Sequence, residues 1–219
     1  MEMVNIVSAN NSILGKFIAE IRDKDIQKDS MRFRRNLERI GEIIAYEISK
    51  TLNFKDQTVE TPLGEAIVAM IDDEIVLATI LRAGVPFHAG FLNYFDDANN
   101  AFVSAYRKTH KDNSFEIKIE YVSCGDIEGK VLILVDPMLA TGASTVIAYN
   151  ALVEKGGEPK HTHIAAAIAS EQGVDYVKKN MSMNKTTIWT AALDEELTSK
   201  AYIVPGIGDA GDLAYGNKK

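Results

Sequence analysis

An acidic residue followed by small residues offers the clearest chemistry in this chain. Five apolar residues, Val131 to Val135, stop at Asp136, and a small-residue loop then leads into a helix-like run that ends near Gly156. In α/β proteins, this order of strand, acid, loop and helix builds sites for phosphorylated ligands. The helix N-terminus presents free N–H groups and a partial positive charge to an anion. The loop consists of Pro137, Met138, Leu139, Ala140, Thr141, Gly142, Ala143 and Ser144.

Two arginines follow apolar runs elsewhere in the chain. Arg82 comes after the run 74–81, which is typical of a strand buried on both faces of a parallel sheet. Arg107 follows a second predicted strand at 101–106. We therefore expect both arginines at the same sheet edge as Asp136, where their guanidinium donors would match pyrophosphate oxygens. The alternative for each is a solvated surface arginine.

Composition limits the function classes. The chain has 219 residues, of which 46% are hydrophobic, and this suits one domain with a full core. Its net charge of −7 argues against broad nucleic-acid binding, which needs many cations. No apolar run is long enough to span a bilayer, and the N-terminus lacks the pattern of a signal peptide. The single cysteine, Cys124, makes a reducing cytoplasm the expected location.

The alternation of apolar patterns predicts an α/β fold: a mostly parallel twisted sheet with helices on both faces. A stripe from Phe33 to Ile48 at helical spacing predicts a first helix, capped at Asp29 or Ser30. Pro62 and Gly64 indicate a loop over 58–65, and residues 108–130 predict a hairpin standing off the main sheet. Further strands are predicted at 131–135, 163–169 and 186–191, and further helices at 85–95, 145–155 and 171–179.

Four blocks together resemble the uracil phosphoribosyltransferase family of type I phosphoribosyltransferases. Residues 136–142 resemble its ribose-phosphate loop, 80–84 its pyrophosphate loop, and 105–108 its strand-end Tyr-Arg. Residues 202–212 are close to its uracil-binding segment, which orotate and purine transferases lack. The resemblance covers nearly the whole chain. It implies one domain over 1–219, with a protruding hairpin as lid at 108–130 and a C-terminal base-binding hood at 192–219.

The resemblance implies transfer of a phosphoribosyl group from phosphoribosyl pyrophosphate (PRPP) to N1 of uracil, giving UMP and diphosphate. Asp136 and Arg107 would be the catalytic residues, and Asp136 would accept hydrogen bonds from the ribose hydroxyls. PRPP would contact the loop, both arginines and Asp209, with Mg²⁺ bound mainly by the oxygens of PRPP and Asp209 as a further candidate ligand. The uracil-binding residues would be Ile203, Gly208, Asp209 and Ala210.

Further expectations come from the same resemblance. It implies an unusual backbone next to Arg82, such as a cis peptide, and at least a homodimer, with GTP activation in some members. Ala143 departs from the family, which usually has a second glycine there. Its methyl group would be harmless at negative φ and would crowd the phosphate at positive φ.

Alternatives remain open at this stage. An RNA-binding pyrimidine attenuator could use the same fold and loop, and so could a phosphoribosyltransferase for another base. His161 and His163 are interpreted as strand-flanking residues rather than a metal pair, and Cys124 as non-catalytic. A basic helix face is interpreted as solvated or as part of a subunit interface, and it comprises Arg32, Arg34, Arg35 and Arg39.

Overall fold

The computed structural model describes residues 3–109 and 115–217, and the side chains of residues 106–109 and 115–118 are outside this description. The described part contains the α-helices α1 (Leu14–Arg22), α2 (Ser30–Ser49), α3 (Gly84–Leu92), α4 (Ala143–Gly156), α5 (Glu171–Asn180) and α6 (Ala210–Tyr215). Its strands are β1 (Val4–Ile6), β2 (Phe54–Thr61), β3 (Gly64–Ile71), β4 (Ile75–Leu81), β5 (Asn99–Thr109), β6 (Phe115–Ser123), β7 (Val131–Val135), β8 (Met138–Leu139), β9 (His161–Ser170), β10 (Thr186–Asp194), β11 (Glu196–Leu197) and β12 (Ile203–Val204).

A mostly parallel sheet forms the centre of the molecule. Its strands lie in the order β1-β10-β9-β7-β4-β5-β6, and the short β8 also pairs with β9. Every pair is parallel except β5 with β6. The predicted fold class is therefore confirmed, because parallel neighbours need crossover connections and helices supply most of them here.

Alternate side chains of the central strands face two separate layers of helices. Leu77 and Ile133 belong to a core shared with α1, α2 and α3, whereas Val76 and Leu132 belong to a core shared with α4. A third core packs α5 against β9 and β10. This period of two explains why β7 is apolar throughout and β4 is apolar except at Thr79, since both faces of each strand are buried.

The connections after β4 and β7 leave the sheet on opposite faces. Helix α3 follows β4 and packs in the first core, and α4 follows β7 and packs in the second and third cores. In open α/β sheets, ligands bind outside the carboxyl ends of the strands at such a switch point. The fold thus places the residues after β4 and β7 at the edge where a ligand site is expected.

The loop predicted at 58–65 is wrong. Strands β2 and β3 pair in antiparallel register from Phe54 with Ile71 to Thr61 with Gly64, so a tight turn at Pro62 and Leu63 replaces the loop. Both faces of this hairpin are exposed over nearly its whole length. The sequence therefore lacks the alternation of buried and exposed residues from which a strand is usually identified.

The hairpin predicted at 108–130 lies only partly away from the main sheet. Strand β6 pairs with β5 at the sheet edge over residues 102–104 of β5, and the two strands then continue together past Ser104, the last residue of β5 that pairs with β4. The tip at 110–114 lies outside the described residues. The β2–β3 hairpin forms a two-stranded sheet of its own.

The N-terminus of α2 follows a simple local rule. Asp29 caps this helix by accepting hydrogen bonds from the N–H groups of Met31 and Arg32, both at 3.1 Å.

Among the described residues, none of the helices combines the length and apolar character needed to cross a membrane.

The imidazole of His163 is part of the core. It is 3% exposed, and its Nδ1 accepts a hydrogen bond of 3.1 Å from Trp189 Nε1. Burial, with the neighbouring His161, lowers the pKa of His163 to about 3. The neutral ring is thus the form that the fold selects, as its interpretation as a structural residue requires.

This depressed pKa predicts acid sensitivity of the fold. Because the unfolded chain binds a proton at His163 near pH 6.5 and the folded chain near pH 3, the free energy of unfolding should fall as the pH drops between these values. The slope from this residue approaches about 1.4 kcal/mol per pH unit. Denaturant unfolding of the wild type and His163→Gln between pH 7 and pH 5 measures it. We expect a shallower slope in the variant, and equal slopes would contradict the assignment.

Candidate active site

Asp136 lies directly beyond β7, where the sequence predicted it. Its backbone N–H continues the parallel pairing by donating to the carbonyl oxygen of Ala165 at 3.1 Å. Its Oδ1 accepts from the N–H of Met138 at 3.2 Å, and the residue is half-buried. The turn-capping role that was the alternative for Asp136 is therefore real, and it fixes the carboxylate at the sheet edge.

The loop after Asp136 delivers the N-terminus of α4 to the same edge. Gly142 is the N-cap with φ of +77°, and as a glycine it has no side chain of its own to cap the helix. A Cβ on Gly142 would lie 2.6 Å from the carbonyl oxygen of Gly173 and 3.1 Å from Cβ of Tyr176. Glycine is thus required here both by φ and by space, and the first turn of α4 keeps N–H groups for an anion.

Ala143 is the first residue of α4, so its backbone is helical. The left-handed φ that would make a methyl group harmful lies one residue earlier, on Gly142. The departure from the family at Ala143 therefore carries no backbone strain.

Arg82 follows β4 at the neighbouring strand end. The peptide bond between Leu81 and Arg82 is cis, as the resemblance implied. Nη2 of Arg82 donates to Oδ1 of Asp212 at 3.1 Å, and both terminal nitrogens lie 3.4 Å from the carbonyl oxygen of Gly216. Its buried Nε has no hydrogen-bond partner within the described part of the chain. The guanidinium therefore joins the end of β4 to the C-terminal helix α6.

The C-terminal segment forms a wall opposite the sheet edge. Asp209 caps α6 by accepting a 3.0 Å hydrogen bond from the N–H of Asp212. Gly208 adopts a φ of +83°, and Ala210 is 3% exposed. Helix α6 is held on α2 by Arg34, which donates to the carbonyl oxygen of Ala214 at 2.6 Å. Small residues thus lie at the position predicted for the base, next to a helix that Arg34 holds on α2.

One cavity of about 370 Å³ joins these elements. Several predicted site residues line it: Arg82, Asp136, Met138, Ala140, Ser144, Gly208, Asp209 and Ala210. Seven other lining residues were not predicted as site residues: Ile80, Leu81, Ala83, Ala105, Ala201, Tyr202 and Gly211. All but Ala201 lie within the family-like blocks, so the blocks themselves were the signal. Ala201, with φ of +59°, had none.

Some predicted residues support the cavity without lining it. Leu139 is 1% exposed and Ile203 3% exposed, and both side chains pack in the hydrophobic cores. Pro137 and Gly142 are buried, and Thr141 and Ala143 are half-buried. Thr141 Oγ1 accepts a long hydrogen bond of 3.4 Å from the N–H of Ala143, within the loop.

Arg107 does not end its strand. β5 continues to Thr109, and the last residue of β5 paired with β4 is Ser104, opposite Leu81. The predicted strand end at Arg107 is wrong because antiparallel pairing with β6 extends β5 beyond the parallel sheet. The side chain of Arg107 lies outside the described residues, and its role stays a prediction.

The basic face of α2 makes contacts within the chain. Arg32 pairs with Glu20, Arg35 with Glu38, and Arg39 Nη1 donates to Asn36 Oδ1 at 3.1 Å. Two of the four arginines are therefore paired with carboxylates, and Arg34 links this face to α6 through the carbonyl oxygen of Ala214.

Cys124 lies beyond β6, where its Sγ donates to the carbonyl oxygen of Gly125 at 3.1 Å. Burial raises the pKa of its thiol, which disfavours the reactive thiolate. Among the described residues, no three or more His, Cys, Asp or Glu side chains gather as metal ligands would.

Comparisons with known proteins agree with this geometry. The family model described as uracil phosphoribosyltransferase matches residues 7–217. The uracil phosphoribosyltransferase of Porphyromonas gingivalis is 58% identical over the full length of both chains. That of Pyrococcus furiosus is 38% identical, over 92% of this chain and 85% of its own. The solved structure of the AQ2163 protein from Aquifex aeolicus superposes with a TM-score of 0.86 at 27% identity, over 98% of each chain.

The sheet order, the switch-point cavity and these matches lead to one family and one fold, that of the type I phosphoribosyltransferases. The reaction of this enzyme family transfers phosphoribosyl from PRPP to N1 of uracil, so its members are pentosyltransferases. The chain belongs to the uracil phosphoribosyltransferase family.

Proposed function

We propose that four elements around the cavity each bind a different part of the substrates of uracil phosphoribosyl transfer. The N-terminus of α4 and its loop bind the 5-phosphate, Asp136 binds the ribose, Arg82 binds pyrophosphate, and the C-terminal segment binds uracil. The observation that carries this proposal is the meeting of all four elements around one cavity of about 370 Å³.

The phosphate and ribose roles follow from charge and geometry. A phosphate at the first turn of α4 would accept hydrogen bonds from backbone N–H groups and from Ser144, with the helix dipole in its favour. Asp136, at the end of β7, would accept hydrogen bonds from the 2- and 3-hydroxyls of ribose. Its negative charge would also stabilise the oxocarbenium-like transition state, in which the anomeric carbon becomes positive.

Arg82 would bind the leaving pyrophosphate through its forked donors. Its present partners, Asp212 and the carbonyl oxygen of Gly216, are on the C-terminal segment. Pyrophosphate binding would therefore exchange hydrogen bonds with the same segment that binds the base. Arg107 is proposed as the second guanidinium from the resemblance alone.

Uracil presents alternating carbonyl acceptors and N–H donors along one edge. The backbone of residues 208–210 would pair with that edge, because Gly208 and Ala210 leave room for a flat ring. An amino group in place of a carbonyl would oppose donor to donor, which would reject cytosine.

Magnesium fits this donor set as an ion bound largely through PRPP. Within the described part of the chain, two carboxylates line the cavity, Asp136 and Asp209, which is fewer than a protein cage for the ion would need. Mg²⁺ bound to pyrophosphate oxygens would supply charge neutralisation of the leaving group. Asp209 is the side chain proposed to reach PRPP or its metal.

The hairpin at 108–130 is proposed as the lid that excludes water from the bound substrates.

We also propose a homodimer that forms through the β2–β3 hairpin. Apolar side chains are exposed on it, with Leu63 100% and Ile67 74% accessible. An isolated two-stranded hairpin is marginally stable in water, and exposed apolar clusters mark interaction surfaces. A two-fold symmetric contact would bury this surface in both copies.

The substrate assignment is tested by incubating the protein with PRPP, Mg²⁺ and, separately, uracil, cytosine, orotate or a purine. We expect UMP from uracil and no nucleotide from the other bases. Product from another base but not from uracil would overturn the base assignment. If the protein instead binds RNA under the control of UMP and makes no nucleotide, the alternative of an RNA-binding pyrimidine attenuator would be favoured.

The role of Asp209 is tested with two variants, because the residue also caps α6. We expect Asp209→Asn to keep the cap and Asp209→Ala to lose about 1 kcal/mol of stability. Both should impair uracil use while ribose 5-phosphate still binds. Kinetics of Asp209→Asn identical to the wild type would remove the carboxylate from the site.

Asp136→Asn should lower kcat by about 100-fold or more, because it removes a charge that stabilises the transition state. The melting temperature should change little, since asparagine can still accept the hydrogen bond from Met138. Steady-state kinetics and thermal melting on the same preparation separate the two effects. A loss of folding with no separate loss of turnover would contradict the role.

The hairpin interface is tested with the double variant Leu63→Lys, Ile67→Lys and with Ile13→Lys as an exposed apolar control outside the hairpin. Light scattering should give a dimer mass for the wild type and for the control, and a monomer mass for the double variant. A double variant with the mass of the wild type would exclude the hairpin as the contact.

A further inference from the structure

We infer that Arg22 and Asp194 are positioning residues for uracil recognition. Neither residue lines the cavity, and together they hold the backbone of the turn that leads into the base pocket. This inference rests on the proposed assignment of residues 208–210 to uracil, and it adds an ion pair that fixes their placement.

The two residues form a bidentate ion pair between distant parts of the chain. Arg22 is the last residue of α1, and Asp194 is the last residue of β10. Nη2 of Arg22 donates to Oδ1 of Asp194 at 2.7 Å, and Nη1 donates to Oδ2 at 2.9 Å. Asp194 is 7% exposed, so the pair is largely shielded from water. Two parallel hydrogen bonds give such a pair a defined geometry.

The same ion pair binds both polar groups of one backbone residue. The N–H of Gly206 donates to Oδ2 of Asp194 at 2.9 Å, and its carbonyl oxygen accepts from Nη1 of Arg22 at 3.1 Å. Gly206 has a φ of +54°, and a Cβ there would collide with the carbonyl oxygen of Ile203. The ion pair therefore fixes a backbone conformation that only glycine can adopt at this position.

The placement of Gly206 determines the placement of the base pocket. Gly208 lines the cavity two residues later, and Ala210 begins α6 after it. Recognition by backbone groups has no side-chain rotamer to adjust, so the main chain itself must lie at hydrogen-bonding distance from the base. A displacement of about 1 Å in a positioning element can cost about 100-fold in rate. The pair acts on uracil through Gly206, which neither contacts nor lines the cavity itself.

A second ion pair in the same helix layer provides a matched control. Arg32 makes two hydrogen bonds to Glu20, at 2.8 and 3.0 Å, and Glu20 is 8% exposed. Asn36 also donates to Glu20, and none of these three residues lines the cavity. Glu20→Gln thus removes a comparable charge from α1 without touching the turn at Gly206.

The test compares Asp194→Asn and Arg22→Lys with Glu20→Gln in steady-state kinetics with each substrate varied. We expect the KM for uracil to rise about tenfold or more in the first two variants, while the KM for PRPP stays within about twofold. Glu20→Gln should leave both constants unchanged even if its melting temperature falls. Arg22→Lys keeps the positive charge at the more exposed partner, so it supplies the readout if Asp194→Asn does not fold.

Ala210→Leu, measured in parallel, separates this inference from the pocket assignment. If Ala210→Leu leaves the KM for uracil unchanged, the proposed pocket is wrong. If Ala210→Leu raises the KM for uracil but Arg22→Lys and a folded Asp194→Asn do not, the positioning role alone is wrong. Equal rises in the KM for uracil and PRPP in Arg22→Lys would also overturn that role, because a general loss of structure would produce them.

Discussion

The parallel pairing of β4 with β7 is the constraint on which the site depends. It aligns Thr79 with Val135, so the residues that follow both strands emerge at one edge. Because α3 and α4 then leave on opposite faces, a crevice opens between Arg82 and Asp136. A cation and an anion are thereby held on the same cavity by backbone that continues from two buried strands.

The C-terminal segment completes this edge through polar contacts as well as through apolar burial in the main core. Arg34 holds α6 on α2, Arg82 pairs with Asp212, and the Arg22–Asp194 pair holds Gly206. Arg22 and Arg34 belong to α1 and α2, which pack together on one face of the sheet. The base pocket is thus built from backbone, and side chains of other elements determine where that backbone lies.

The local parts of this account could be predicted from the sequence. An apolar run, an acid, a glycine and a helix are consecutive in the chain, so the positions of Asp136 beyond a strand and of Gly142 before a helix could be predicted. The central strands were found because burial on both faces leaves an unbroken apolar run. The blocks around Arg82 and Asp209 added the family, which comparison with known proteins confirmed.

Other parts were beyond sequence reasoning for physical reasons. The β2–β3 hairpin is exposed on both faces, so it lacks the burial pattern of a strand. The strand end predicted at Arg107 was wrong because pairing with β6 extends β5, and this pairing cannot be read from the local sequence. Arg22 and Asp194 are 172 residues apart, and neither carries a local signal of its contact.

We propose that the edge between β4 and β7 holds the phosphoribosyl group while the backbone of 208–210 forms hydrogen bonds to uracil. A crystal structure with UMP bound would show or exclude this arrangement. We expect the 5-phosphate at the first turn of α4, the ribose hydroxyls on Asp136 and the uracil edge on the backbone of 208–210. A phosphate bound away from α4, or a base that makes no hydrogen bond to that backbone, would contradict it.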